Sequence, residues 1–243
     1  MQGRIHSIDS GGMLDGPGIR SVVFLSGCPM RCVYCHNPDT WDISAGGLID
    51  HTDIVKKVLR IKPYFKNGGG ITLSGGEPLC QAEFSAEILK DCKKHGIHTV
   101  LDTAGSIFNK QVEHLLIYTD LIILDIKHTN SEAFNHITNY NIDSCLQFLE
   151  YADKQNKEIV IRQVIVPGIN DTADNVKELV VFCKKYMSVK SVELLPYHTM
   201  GIYKWERLGV EYKLAGTPAC SAEKLNKLAC LVKTFPDNYL VVV

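Results

Sequence analysis

The chain has 243 residues, 45 % of them hydrophobic and 22 % charged, with a formal net charge of −1. That length suits one α/β domain of barrel size or at most two small ones, in an ordinary globular composition. A near-neutral charge with no long run of one sign argues against a polyelectrolyte such as nucleic acid held by bulk charge, and no stretch approaches the roughly 20 apolar residues of a membrane span.

Short apolar runs alternate with amphipathic stretches along the chain. Residues 21–26 (SVVFLS) read as a strand, and 53–66 have helical periodicity with Thr52 as a plausible cap. A strand at 71–74 precedes a helix at 82–95 closed by Gly96. Then come a strand at 99–102, a helix at 109–118, a strongly apolar strand at 121–126 and two short helices within 131–154. A strand at 159–166, a helix at 172–187 and a strand at 189–195 follow. A helix at 221–235 capped by Ser221 and a strand at 239–243 close the chain. Continuous apolar strands alternating with helices predict a parallel sheet covered on both faces. The six βα units fall short of the chain that a full eight-unit barrel usually takes, so an open partial barrel is expected, as a single domain over residues 1–243.

The richest local signal is Cys28-Pro29-Met30-Arg31-Cys32-Val33-Tyr34-Cys35, three thiols from one loop after the first strand. Three soft ligands suit an iron–sulfur cube, which normally takes four cysteines, and a missing fourth leaves one iron open to another ligand. Structural zinc is the rival, with His36 as fourth ligand, although adjacent residues rarely both reach one ion. The opening Met1-Gln2-Gly3-Arg4-Ile5-His6 has no apolar core of signal-peptide length, so the expected compartment is the cytoplasm, where nine cysteines are reduced thiols or ligands. The other six (Cys80, Cys92, Cys145, Cys183, Cys220 and Cys230) read as small core residues.

The remaining polar candidates fall at strand ends. Gly75-Gly76-Glu77 follows the second strand, Asp102 ends the third, Asp125 and Lys127 end the fourth, Arg162 lies within the fifth and His198 follows the sixth. Sites in α/β folds are built at the C-terminal ends of strands, so this placement predicts one shared site. Asp102, Thr103 and Asp125 bring oxygens to adjacent strand ends, where two carboxylates need positive charge between them: a hard cation, or Lys127 or Arg162 directly. Asp15, before the loop-forming Gly16-Pro17-Gly18, is either a substrate contact or a solvated loop residue.

The cysteine motif with Ser74-Gly75-Gly76-Glu77-Pro78 resembles the radical S-adenosylmethionine (SAM) superfamily. Gly16-Pro17-Gly18-Ile19-Arg20 and Tyr34-Cys35-His36-Asn37-Pro38-Asp39-Thr40-Trp41 are similar, more narrowly, to the activases of glycyl-radical enzymes, in particular those of pyruvate formate-lyase. The likeness continues through Leu101-Asp102-Thr103-Ala104-Gly105, Leu124-Asp125-Ile126-Lys127, Val166-Pro167-Gly168 and Leu194-Leu195-Pro196-Tyr197-His198, and so covers nearly the whole chain.

The resemblance implies a partial (β/α)6 barrel of TIM-like type. It implies one 4Fe–4S cluster on Cys28, Cys32 and Cys35, with SAM chelating the fourth iron. Reductive cleavage of SAM would give a 5′-deoxyadenosyl radical that takes a Cα hydrogen from one glycine of pyruvate formate-lyase. The same likeness implies Tyr34, Cys35 and His36 near the adenine, or Tyr34 merely packed over the cluster. Gly75, Gly76, Asp125, Ile126, Lys127, Arg162 and His198 would touch SAM, and a monovalent cation would lie at Asp102, Thr103 and Asp125. A monomer reduced by flavodoxin or ferredoxin is the expected working form. No cysteine lies between Cys35 and Gly75, so one cluster only is expected. A radical SAM enzyme acting on a small molecule, an activase of another glycyl-radical enzyme and a non-catalytic iron–sulfur electron carrier are the alternatives.

Overall fold

The expected strands assemble into one nine-stranded sheet in the computed structural model, which describes residues 1–233 and 240–242. The strands are β1 (Gln2–Gly12), β2 (Arg20–Leu25), β3 (Gly47–Asp50), β4 (Gly70–Gly75), β5 (His98–Thr103), β6 (Leu121–Asp125), β7 (Glu158–Ile165), β8 (Val189–Pro196) and β9 (Leu240–Val242), in the order β3-β1-β2-β4-β5-β6-β7-β8-β9. From β2 to β9 every pairing is parallel, whereas β1 is antiparallel to both β2 and β3. The parallel run never reverses direction in its order, unlike a doubly wound sheet, and its edges β3 and β9 do not pair. This is the open α/β barrel that the six strands β2 and β4–β8 predict.

Alternation along the strands decides what the barrel contains. Successive side chains point to opposite faces, so Leu121, Ile123 and Asp125 share a face, as do Val100 and Asp102, and Val160 and Arg162. Val100, Leu121 and Ile123 form a small cluster of their own with Val160, an apolar floor. Asp102, Asp125 and Arg162 lie on the same face, nearer the C-terminal ends. The opposite face (Ile71, Leu73, Leu101, Ile122, Leu124, Ile159, Ile161) joins the main core under the helices.

The helices are α1 (His51–Ile61), α2 (Ala82–Lys94), α3 (Lys110–Ile117), α4 (Ser131–Thr138), α5 (Asp143–Lys154), α6 (Ala173–Cys183), α7 (Ile202–Leu208) and α8 (Ala222–Lys233). Asn109 caps α3 and Thr172 caps α6 through side-chain oxygens. The Ser221 hydroxyl accepts from Lys224 N at 3.2 Å at the start of α8. The expected cap of α1 is corrected. Thr52 lies inside the helix and donates its N–H and hydroxyl to Asp50, whose carboxylate is the cap. Asp50 directly precedes the first helical residue, where a cap must stand. The same helix ends at Ile61 rather than 66, because Pro63 has no N–H to continue the ladder. α6 stops at Cys183, short of the expected 187. Residues 235, 239 and 243, expected ends of the last helix and strand, lie outside the described residues.

Three elements are absent from the sequence expectation. β1 buries only Gly3 and Ile5 of its eleven residues, β3 buries none of its four, and α7 buries only Trp205. None carries the apolar period that reveals an element.

Candidate active site

The cysteine loop, residues 27–41, has little regular structure of its own and is positioned by its neighbours. Gly27 N and Cys28 N donate to Thr40 O and Trp41 O, closing the loop on itself. Arg31 N and Val33 N donate to Thr138 O (2.8 Å) and Ile137 O (2.9 Å), carbonyls at the end of α4 that the helix leaves unpaired. The Arg31 guanidinium donates to Cys28 O and Met30 O and lies over the Trp41 ring. Cys28, Cys32 and Cys35 line a cavity of about 300 Å³ at the C-terminal ends of the strands.

Burial pushes all three thiols above their ordinary range, Cys32 to about 12. Thiolates are the ligating form, so all three ionise here only against strong positive charge, which fits an iron–sulfur cluster. Among the described residues no three His, Cys, Asp or Glu side chains gather around one ion-sized point. His36 is also turned away from a zinc role. Its ring stacks on His198 at 3.8 Å between centroids, and its Nε2–H donates to His198 O at 3.0 Å. Burial and the neighbouring His198 hold it down at about 4.

Asp15, Tyr34, His36, Gly75, Gly76, Asp102, Thr103, Asp125, Lys127 and Arg162 line the same cavity as the cysteines. Two predicted residues do not. Ile126 is fully buried in the core, with its N–H bonded to Arg162 O and its carbonyl to Gln163 Nε2. His198 reaches the site through His36, by the ring stack and by accepting the His36 Nε2–H at its carbonyl.

The carboxylates are each met by a cation. Lys127 Nζ donates to Asp125 Oδ2 at 2.7 Å, and Arg162 Nη1 lies 3.7 Å from Asp102 Oδ1. Burial opposes the Lys127 charge, but Asp125, Tyr34 and Cys32 outweigh it and hold the ammonium well above its usual range. Asp102 also accepts from Ser74 Oγ at 2.6 Å. Burial lifts its carboxyl to about 6 against the pull of Arg162, with Asp125 adding to the rise. Among the described residues Asp125 Oδ1 and Tyr34 OH are buried with no hydrogen-bond partner, polar atoms that a bound polar ligand would satisfy.

The glycines are explained by backbone more than by the cavity. A Cβ on Gly75 would come within 2.3 Å of Leu25 N, and one on Gly76 within 2.5 Å of Gly27 O. Both residues are pressed against the strand that leads to the cysteines. Asp15 is half-buried at the wall of the same cavity. Arg162 Nη2 donates to Leu14 O, and the fully buried Arg20 holds Pro17 O, Gly68 O and Ile71 O, fixing the loop that carries Asp15.

The family described as a 4Fe-4S single cluster domain matches residues 14–160. The chain is 47 % identical over 234 residues to the pyruvate formate-lyase-activating enzyme of Clostridium pasteurianum, covering 96 % of this chain and 98 % of that one. It is 40 % identical over 236 residues to the pyruvate formate-lyase 1-activating enzyme of Escherichia coli K12, covering 96 % of both. The chain belongs to the pyruvate formate-lyase-activating enzyme family of radical SAM proteins. Solved structures agree in fold. A Streptococcus suis SuiB complex with its precursor peptide SuiA superposes with TM-score 0.69 at 17 % identity, over 91 % of this chain and 48 % of that one. A domain of a Bacteroides vulgatus pyruvate-formate lyase-activating enzyme gives TM-score 0.58 at 23 % identity, over 72 % of this chain and 99 % of that one.

Within this family member, sequence reasoning passed over several residues that shape the site. Glu77 is 1 % exposed and accepts from Thr103 Oγ1 (2.6 Å), Leu79 N (3.1 Å), Ala104 N (3.1 Å) and Ser106 Oγ (3.2 Å). It ties the end of β4 to the end of β5, and it engages the Thr103 hydroxyl, which also accepts from Gly105 N. Glu193 accepts from Arg162 Nε at 2.9 Å. A carboxylate directly after Gly-Gly was a visible signal for Glu77. Glu193 had none, since its role depends on pairing β7 with β8. Of the six other cysteines, Cys92, Cys145, Cys183 and Cys220 are buried as expected, whereas Cys80 is half-buried and Cys230 exposed. Cys230 takes an outward position on α8, and Cys80 lies in the short turn of helix Pro78–Gln81.

Proposed function

We propose that this protein is the activase of a pyruvate formate-lyase: it cleaves SAM reductively and removes one Cα hydrogen from a glycine of that partner. The observation that carries the reading is the shared cavity, in which three cysteines of one loop meet paired cations and carboxylates from three successive strands, β5, β6 and β7. Cys28, Cys32 and Cys35 would hold a 4Fe–4S cluster, which would supply the electron for reductive cleavage of SAM. The protein's own residues bind, orient and exclude water. Lys127 and Arg162 are the cations available to a SAM carboxylate. Gly75 and Gly76 offer backbone to its ammonium, and Tyr34 and His36 flank the nucleoside, with His198 supporting the His36 ring from behind. A monovalent cation belongs at Asp125 with Asp102 and Thr103 beside it; the support is the partnerless Asp125 Oδ1, since Lys127 and Arg162 already offset part of the charge.

Glycine is the fitting target because its Cα radical is unhindered and delocalised over both flanking amides. The open edge of the barrel gives a partner's loop a way in, and Asp15 at the cavity wall is placed to orient that loop. The enzyme works as a cytoplasmic monomer of one domain, reduced by flavodoxin or ferredoxin. No helix among the described residues is long and apolar enough to cross a membrane.

The test is electron paramagnetic resonance on anaerobic mixtures of reduced protein, SAM and pyruvate formate-lyase. A stable glycyl signal is expected, and a short peptide copying the partner's glycine loop should be a poorer substrate because its ordering entropy is lost on binding. Asp15→Asn should lower radical yield per methionine formed. SAM cleavage without a glycyl signal on any pyruvate formate-lyase would point to a small-molecule substrate instead.

A further inference from the structure

The stretch that leaves β8 meets the end of the cysteine motif residue by residue. Gly201 abuts His36: a Cβ there would stand 2.8 Å from His36 Cα and 2.9 Å from His36 O. Trp205 Nε1 donates to Cys35 O at 2.8 Å. Lys204 Nζ donates to Asn37 Oδ1 at 2.7 Å and to Asp39 Oδ1 at 3.1 Å. Three positions of one short segment thus grip Cys35, His36 and Asn37 in turn, while His198 stacks on the His36 ring from the same connection.

The grip is built rather than incidental. Trp205 is 2 % exposed, a large side chain whose buried N–H needs a partner. Its ring is held edge-on by Trp41 at 4.9 Å and by Tyr212 at 5.1 Å, and Tyr212 in turn shares a 2.7 Å hydrogen bond with the buried Tyr197. Lys204 carries its charge to a half-buried site where Asp39, itself bonded to His6 Nε2, receives it. On its other flank the same loop is fixed through backbone bonds to Thr138 O and Ile137 O at the end of α4. β2 and β8, from which the two partners of the grip depart, are not neighbours in the sheet.

We propose that α7 is a clamp on the cavity wall: Gly201, Lys204 and Trp205 are positioning residues that set where Cys35, His36 and Asn37 stand. What the wall binds rests on the function proposed above; that the wall is held by α7 does not. Trp205→Phe keeps an aromatic ring but removes the N–H donor together with the pyrrole half of the indole. Lys204→Met keeps the stem and deletes the charge, and Lys204→Arg restores it. Gly201→Ala forces the His36 backbone to shift.

The first readout uses the protein without cluster or SAM. Alkylation of Cys35 relative to Cys28, mapped by mass spectrometry, should quicken by about two- to tenfold in Trp205→Phe and Lys204→Met, the scale of one lost hydrogen bond. Lys204→Arg should return toward the parent ratio. The second readout is the reconstituted enzyme, in which iron content should hold while the Kd for SAM rises by a similar factor and the resonance spectrum of the reduced cluster shifts. An unchanged Cys35-to-Cys28 ratio in both variants overturns the clamp, as does equal quickening at every cysteine with a lowered melting temperature, which is general loosening. If the parent enzyme fails to cleave SAM, the function proposal fails and the alkylation ratio still decides the clamp.

Discussion

Asp125 accepts from Lys127 at 2.7 Å through Oδ2, while its Oδ1 is buried without a partner among the described residues. One carboxylate therefore faces a fixed cation on one side and an unmet demand on the other. Asp125→Ala should weaken SAM binding by at least about tenfold, the cost of leaving a buried charged partner unpaired, with iron content unchanged. If a monovalent cation meets the second oxygen, SAM cleavage will also depend on the salt supplied. Equal rates in sodium, potassium and bulky organic-cation buffers would assign the whole neutralisation to Lys127 and Arg162.

Asp102 gives a pH signature. Burial raises its carboxyl from the ordinary 3.8 to about 6 in the folded protein. The folded state thus holds this proton more tightly than the unfolded chain, and the associated stability is complete below about 3.8 and lost as pH rises through about 6. Relative to Asp102→Asn, which stays neutral, the cluster-free parent should lose stability between pH 4 and 6. Urea midpoints of both proteins across that window measure it; a pH-independent difference would contradict the assignment.

Glu77 is a knot. Its four hydrogen-bond donors converge on two carboxylate oxygens inside the core. Glu77→Gln turns one acceptor into a donor facing other donors and should cost about 2–3 kcal/mol of stability by chemical denaturation. Thr103→Val removes one of those donors and should cost less. If Glu77→Gln unfolds at the parent midpoint, the knot is not stabilising.

The cysteines separate by role. Cys28→Ala, Cys32→Ala or Cys35→Ala should abolish iron binding or SAM cleavage. Cys92→Ala and Cys145→Ala, both at fully buried positions, should cost roughly 1 kcal/mol each and spare iron content. Cys230→Ala, at an exposed position, should change neither. Full activity after loss of Cys32 would remove the cluster from this loop.

Much of the site was legible because its signals are local. An apolar run ending in Asp102 or Asp125 announces both a buried strand and a polar group at its tip, and alternation alone puts Asp125 on the face of Leu121 and Ile123. The cysteine spacing needs no tertiary context. What was illegible depends on partners far away in the chain. β1 binds β2 and β3 with hardly a buried side chain, so no period marks it. Asp50 displaced Thr52 as a cap because it stands directly before the first helical residue, whereas Thr52 already lies inside the helix. Ile126 shares a motif with Asp125 but points into the core, as the strand's alternation requires. Lys204 and Trp205 carry no local signal, because their partners Asn37, Asp39 and Cys35 lie more than 160 residues away.

The hydrogen bond from Trp205 to Cys35 spans 170 residues of chain. During synthesis the three thiols therefore emerge well before the wall that is to hold them. At roughly 5–20 residues per second the interval is on the order of 10–30 seconds. Through that time the nascent chain carries a ready set of soft ligands with no enclosure, open to oxidants and to stray metal ions. The wall around the thiols is complete only in finished polypeptide, and chains interrupted after β8 should be recovered with markedly less iron than full-length ones.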